Sequence, residues 1–170
     1  MSSITPCLWF NGDAEAAANF YVSLFPDSAV GNVSRYGDGM PFPAGTALMV
    51  EFHLSGQRYQ ALNGGPQYPH TEAISLSVSC ADAEAVDRYW YDLTANGGSE
   101  GQCGWLKDRF GVSWQIVPAG LSALLSDPDA GRRARAMAAM MQMKKLDLPA
   151  MQAAADAVPA TAANTREVHR

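Results

Sequence analysis

Glu51 and His53 are the residues in this chain best spaced to move a proton between them. They lie two apart in residues 46–54, where Leu48, Val50, Phe52 and Leu54 alternate with Met49, Glu51 and His53, so both leave a strand on the same side. A carboxylate beside an imidazole suits acid/base work or supplies two metal ligands. The plainer reading, a hydrogen-bonded polar strand face, is favoured. Cys103 is the candidate nucleophile, with Lys107 and Arg109 close behind it in sequence. A thiol needs a base or positive neighbour to ionise; the sequence fixes none, so an inert thiol is the simpler reading. Cys7 and Cys80 read as wall or core residues. Ser75, Ser77 and Ser79 alternate with Ile74, Leu76 and Val78, so an apolar face under a helix would turn the hydroxyls toward a groove. Thr5, Cys7 and Trp9 share a face in the same way, as do Ser113, Gln115 and Val117. Trp9 and Trp105 could stack on a planar ligand, while Trp114 reads as core. These faces predict a small, polar, partly aromatic cavity; the alternative is serines facing bulk water. Arg35, Lys107 and Arg109 read as surface charges, Asp108 to Gly111 as a hairpin turn, and His70 and His169 receive no role.

The elements that must position these residues come in a repeat. Residues 4–10 form a strand, Asn11-Gly12-Asp13 a turn with Asp13 as N-cap, and residues 14–25 an amphipathic helix. Strands follow over residues 29–36, 46–54 and 57–63, the last two joined at Ser55-Gly56. After a Gly/Pro-rich linker, residues 64–70, the order begins again. A strand spans residues 72–80, and a helix over residues 83–95 is capped by Asp82 and ended by Asn96-Gly97-Gly98. Strands then span residues 99–102, 104–110 and 113–118. A repeat of roughly 65–70 residues follows. Neither half can bury its sheet alone, so the expected fold is α+β: two βαβββ modules, residues 4–63 and 71–118, curved into an open barrel with helices outside. Residues 119–157 form a helical extension, with one helix from Ser126-Asp127-Pro128-Asp129 to about residue 144 and another over residues 148–157. Met137, Met140, Met141 and Met143 could form a soft patch but read as packing. Residues 158–170 read as a loose tail.

The 170 residues carry a formal net charge of -5 and a pI of about 5.0. That balance argues against nucleic-acid and anionic-membrane partners, which need clustered Lys and Arg. Three cysteines without a CxxC pair fit a reducing compartment. The first residues show neither a basic region nor an apolar core, and no apolar run is long enough to span a bilayer, so a cytoplasmic location is expected. No Gly-rich loop joins the first strand to its helix as a dinucleotide site would require.

Four stretches carry a resemblance: Ile4-Thr5-Pro6-Cys7-Leu8-Trp9-Phe10, Asn19-Phe20-Tyr21-Val22-Ser23-Leu24-Phe25, Ala61-Leu62-Asn63-Gly64-Gly65-Pro66, and the long run from Cys103-Gly104-Trp105 to Gln115-Ile116-Val117-Pro118. With the repeated βαβββ order, they resemble the vicinal oxygen chelate (glyoxalase/bleomycin resistance/dioxygenase) superfamily in its PhnB-like, demethylubiquinone methyltransferase-like branch. The resemblance covers about residues 4 to 155 and implies a cup-shaped site and a homodimer, with the C-terminal helices as an extra interface. Metal-using members hold their ion with His, Glu or Gln from four strands. The matching positions here are Thr5 (or Pro6), Gln60, Ser75 and Gln115. Four neutral groups make a poor divalent site, so no metal or other cofactor is expected. Thr5, Trp9, Gln60, Ser75, Ser77, Trp105 and Gln115 are then the expected ligand-binding residues. The balance favours binding of a small polar or aromatic molecule. The alternative is a lyase, isomerase or oxygenase-type enzyme using Glu51, His53 or Cys103.

Overall fold

The computed structural model describes residues 4–157, so the expected tail, residues 158–170 with His169, lies outside the described residues. β1 (Cys7–Phe10) turns Leu8 and Phe10 into the core and Cys7 and Trp9 away from it. α1 (Ala14–Leu24) buries Ala14, Ala17, Ala18 and Tyr21, a helical spacing whose small residues let it lie close on the sheet. β2 (Ala29–Arg35), β3 (Ala47–Leu54) and β4 (Gln57–Asn63) complete the first module. Ser55 (φ 47°) and Gly56 (φ 78°) both sit at positive φ, as a two-residue hairpin with the native strand twist requires. The strand order is β1-β4-β3-β2, with β1 parallel to β4.

The second module repeats the plan with β5 (Leu76–Cys80), α2 (Ala83–Thr94), β6 (Ser99–Glu100), β7 (Trp105–Lys107) and β8 (Ser113–Pro118). Its order, β5-β8-β7-β6 with β5 parallel to β8, matches the first. The α+β architecture of two βαβββ modules is therefore the one expected. Among the described residues the sheets stay separate and open, with no strand pairing that closes a barrel. One hydrophobic core joins them. Phe25, at the end of α1, stacks on Tyr89 of α2 (centroids 4.8 Å) and on Trp114 of β8 (5.5 Å). Trp114 is core, as its alternation predicts.

Several boundaries differ from the sequence reading. β5 starts at Leu76, so Ser75 precedes the strand and Ile74, expected on its buried face, is 66% exposed. β6 and β7 are shorter, because Cys103 (φ 56°) and Gly104 (φ 84°) bend the chain between them. Asp82 caps α2 as expected, accepting from the Ala85 N–H at 2.8 Å. Asp13 makes no such bond at α1. There the Asn63 Oδ1 accepts from the Gly12 and Ala14 N–H groups, at 2.8 and 3.0 Å.

The extension holds α3 (Leu121–Leu125), a helix not expected from sequence, then α4 (Ala130–Met140) and α5 (Leu148–Asp156). The Asp129 carboxylate starts α4 by accepting from Gly131 and Arg132 N–H. The helix stops short of residue 144, because the Met143 and Lys144 carbonyls accept from Cys103 N–H (2.8 Å) and Gly104 N–H (2.7 Å) instead. A second apolar cluster forms around Leu124, Ala136, Leu146, Met151 and Ala155. Met140 and Met143 pack against it, while Met137 and Met141 are exposed. No described helix is long and apolar enough to cross a membrane.

Candidate functional site

The sheet faces turned away from the core carry most of the residues singled out by sequence. On the second sheet the register sets Ser77 beside Gln115 and Gln115 beside Trp105, a continuous row across β5, β8 and β7. The Gln115 amide also donates to Ser75 Oγ at 2.8 Å, so these two meet although Ser75 lies outside the strand. On the first sheet Gln60 stands between Cys7 and Glu51, and Trp9 lies beside Leu62. Thr5 precedes β1 and is half-buried. Both rows offer amides, hydroxyls and an indole.

The three reactive candidates are placed less favourably. Glu51 and His53 do leave β3 on one side, but the charged group near Glu51 is the Arg58 guanidinium at 3.8 Å, and Arg58 also lies opposite His53. Cys103 faces the extension: its sulfur lies 3.6 Å from the Met140 carbonyl and 3.8 Å from the Met141 sulfur. The basic residues near it in sequence are engaged elsewhere. Lys107 pairs with Glu72 at 2.7 Å, and the Arg109 guanidinium lies 4.0 Å from the Phe20 ring centroid. Cys80 is buried, and burial pushes its thiol up.

Trp9 is partly committed to the linker. Its indole N–H donates to the Gly65 carbonyl at 2.8 Å, its ring meets Tyr68 edge-on at 5.0 Å, and it lies so close over Gly64 that a Cβ there would come within 2.2 Å. What remains free of the ring borders a cavity of about 270 Å³ between β1, residues 68–76 and the start of β8. Its polar walls include Cys7, His70, Ser75 and Ser113. His70 packs edge-on against Phe10 at 5.1 Å. Burial pushes its imidazole below the usual histidine range, against the opposing pull of Asp108 and of a hydrogen bond to the Trp9 main chain. Sequence reasoning passed over His70 as a linker residue and placed Ser113 merely on a strand face. No periodicity could have joined them across the fold.

Asp108, read only as a turn residue, is 3% exposed and accepts from Tyr21 Oη, Trp114 Nε1 and the Phe110 and Val112 N–H groups. It does form the expected turn: Gly111 N–H donates to its carbonyl at 3.0 Å. A larger cavity, about 480 Å³, lies between α2 and the extension. Its carboxylates are already engaged: Asp82 and Asp147 cap α2 and α5, and Asp87 pairs with Lys145. Among the described residues no three His, Cys, Asp or Glu side chains group as a metal site would need.

This architecture, together with the motifs on β1, β4 and β7–β8, agrees with the comparisons to known proteins. The chain belongs to the 3-demethylubiquinone-9 3-methyltransferase family, whose profile matches residues 2–117. The PhnB protein of Bacillus cereus, which carries the same methyltransferase name, is 35% identical with a TM-score of 0.65; the match covers 69% of this chain and 100% of that one. Protein PA1353 of Pseudomonas aeruginosa shares the fold, at 23% identity and a TM-score of 0.56, over 69% of this chain and 98% of its own. Among curated proteins, none matches this sequence. The extension lies beyond the end of the family match.

Proposed function

We propose that this protein binds a small polar or aromatic molecule on its outward sheet faces through neutral hydrogen-bonding groups, without chelating a metal. The observation that carries the reading is the row Ser77, Gln115, Trp105, with the Gln115 amide already bonded to Ser75. Metal-binding relatives usually carry Glu at the position of Gln115. Here a neutral amide occupies it, its N–H already donates to Ser75, and only an uncharged oxygen is left to face a cation. Thr5 and Gln60 add no charge. Divalent transition metals are held by thiolate, imidazole and carboxylate, and neutral oxygens alone bind them weakly. The enzyme alternative has less support, because Glu51 faces Arg58 and Cys103 faces the extension. Methyl transfer, the activity in the family's name, is not assigned to this chain. At the start of α1, where doubly wound folds hold a nucleotide cofactor, Asn63 already accepts from the Gly12 and Ala14 N–H groups.

Calorimetric titration with Zn²⁺ and Ni²⁺ tests the metal half of the reading. No stoichiometric uptake at micromolar concentration is expected from the native chain, whereas Gln60→Glu/Gln115→Glu should gain it. Micromolar uptake by the native chain that vanishes in Gln115→Ala overturns the proposal. We further propose a homodimer, with the exposed Met137 and Met141 of the extension at its interface. Sedimentation velocity should show a dimer that Met137→Lys weakens; a monomer at all concentrations refutes it.

A further inference from the structure

We propose that Cys103, Met141 and Met137 form a binding site for one soft monovalent metal ion, Cu(I), where the extension meets the bend between β6 and β7. The Cys103 sulfur lies 3.8 Å from the Met141 sulfur. Metal–sulfur bonds of about 2.3 Å at tetrahedral angles hold their sulfurs about 3.8 Å apart, so this pair can take an ion without rearranging. Met137 supplies the third donor. The Met141 N–H donates to the Met137 carbonyl at 3.0 Å, so the two side chains leave the last turn of α4 on the same side, one turn apart.

None of the three sulfurs is committed to the core. Met137 is 42% exposed and Met141 57%, whereas Met151 on α5 is wholly buried. Cys103 is half-buried. Met140 and Met143 are already used, packed against the apolar cluster of the extension. Methionine ordinarily fills gaps in a core; two that stand in solvent beside a thiol are free to serve as donors. The main chain holds that thiol in place. The Cys103 N–H donates to the Met143 carbonyl at 2.8 Å, and the residue keeps a φ of 56°, which side chains seldom adopt. The donor set selects the metal. Thiolate and thioether are soft and favour Cu(I), while divalent ions favour imidazole and carboxylate. Among the described residues no three His, Cys, Asp or Glu side chains gather around Cys103. On binding, the Cys103 thiol releases its proton to solvent, and the thiolate with two neutral thioethers leaves a Cu(I) centre of zero net charge; no electron is transferred. Neither Gln60 nor Gln115 takes part, so Gln115→Ala should leave Cu(I) binding unchanged and the zinc and nickel titration can fail without affecting it.

Anaerobic titration of Cu(I) into the native chain, in competition with the chromogenic chelator bathocuproine disulfonate and with ¹³C-labelled methionine methyls, tests the site. One equivalent should be retained, and the Met137 and Met141 methyl signals should shift while that of Met151 stays. Met141→Leu should weaken retention at least about tenfold, the smaller loss seen when even an outer-shell partner of a metal ligand is removed. It keeps the apolar surface that the proposed dimer uses and removes only the sulfur, so loss of metal and loss of the dimer remain distinguishable. Cys103→Ser should weaken retention further, and Cys7→Ser, at the exposed thiol of β1, should not. Failure to retain Cu(I) against the chelator overturns the proposal. So does retention that Cys103→Ser abolishes but Met141→Leu leaves intact, with both methyl signals unmoved, which marks a thiol acting alone. Retention abolished by Cys7→Ser overturns it as well.

Discussion

Asp108 joins parts of the chain that the sequence holds far apart. Its carboxylate takes the Tyr21 hydroxyl (2.7 Å) from α1 and the Trp114 indole N–H (2.8 Å) from β8, besides two main-chain N–H groups of its own turn. Asp108→Asn keeps the shape but turns an N–H toward donors, so it should destabilise the fold by about 3 kcal/mol, while Tyr21→Phe, losing one charged hydrogen bond, should cost roughly 2 kcal/mol. Urea denaturation ranks the two. Tyr21 also carries a pH signature. Burial and then the Asp108 charge push its phenol well above the usual tyrosine range. Unfolded tyrosine ionises near pH 10, so the stabilisation is fully present below that and fades as pH rises toward the folded value. Tyr21→Phe should show a shallower alkaline loss of stability; identical slopes would disprove the link. His70 runs the opposite way, because burial lowers its pKa. Its contribution is present above about pH 6.5 and is lost as the solution is acidified through the lower folded value, so His70→Phe should flatten the acid limb of a stability-against-pH curve. The turn formed by Asp108 and Gly111 was legible from residue types. Its bond to Tyr21, 87 residues away, was not, since no local pattern encodes a partner at that distance.

At the level of elements, the repeat and its hairpins were legible because alternation and turn chemistry are local. β3 and β4 reach Leu54 and start at Gln57 as expected, and the positive φ values of Ser55 and Gly56 fit the turn between them. The cap of α1 was misassigned for the reason that hid Asp108. Asp13 has the right type and place, yet Asn63, at the end of β4, is wholly buried and supplies the acceptor from across the sheet, while its amide donates to the Ala47 carbonyl at 2.9 Å. Asn63→Ala should therefore cost about 3 kcal/mol or more, combining a lost cap with buried groups left unpaired, whereas Asp13→Ala should cost well under 1 kcal/mol. Equal losses in thermal or urea melts would return the cap to Asp13. The candidate site was legible to the same degree. Alternation set Ser77 and Gln115 each on one face of its own strand, because period two is a property of the strand itself; the register that adds Trp105 to their row is a pairing between strands, which alternation does not encode. It could not show that Ser75 lies beyond the strand end, or that Cys103 is turned toward residues 140–144, because both depend on where the extension and the linker pass.

At the level of the whole molecule, the extension is fastened to the second module through the bend between β6 and β7. Cys103 and Gly104 give their N–H groups to Met143 and Lys144, Lys145 reaches Asp87 and Tyr91 on α2, and Leu146, 3% exposed, fills the space above Gly104. A Cβ on Gly104 would come within 2.8 Å of the Ile116 carbonyl and 2.9 Å of Leu146, so glycine lets the two surfaces meet as well as allowing the bend. The family match ends before this segment, which raises the question of whether the extension is an independent appendage or part of one cooperative unit. The packing favours the second. Its apolar cluster includes Leu146, which also packs against Gly104, so opening the extension exposes the edge of β7 as well. Leu146→Ala should then cost about 2–5 kcal/mol, the range for emptying a packed leucine site, within a single unfolding transition. Native-state hydrogen exchange resolves the matter at two amides. In the native chain the Cys103 and Gly104 N–H groups should be protected about as strongly as that of Ile116 in β8, and Leu146→Ala should speed all three together. Early exchange at Cys103 and Gly104 alone, with Ile116 unchanged, would instead mark the extension as a separately opening unit.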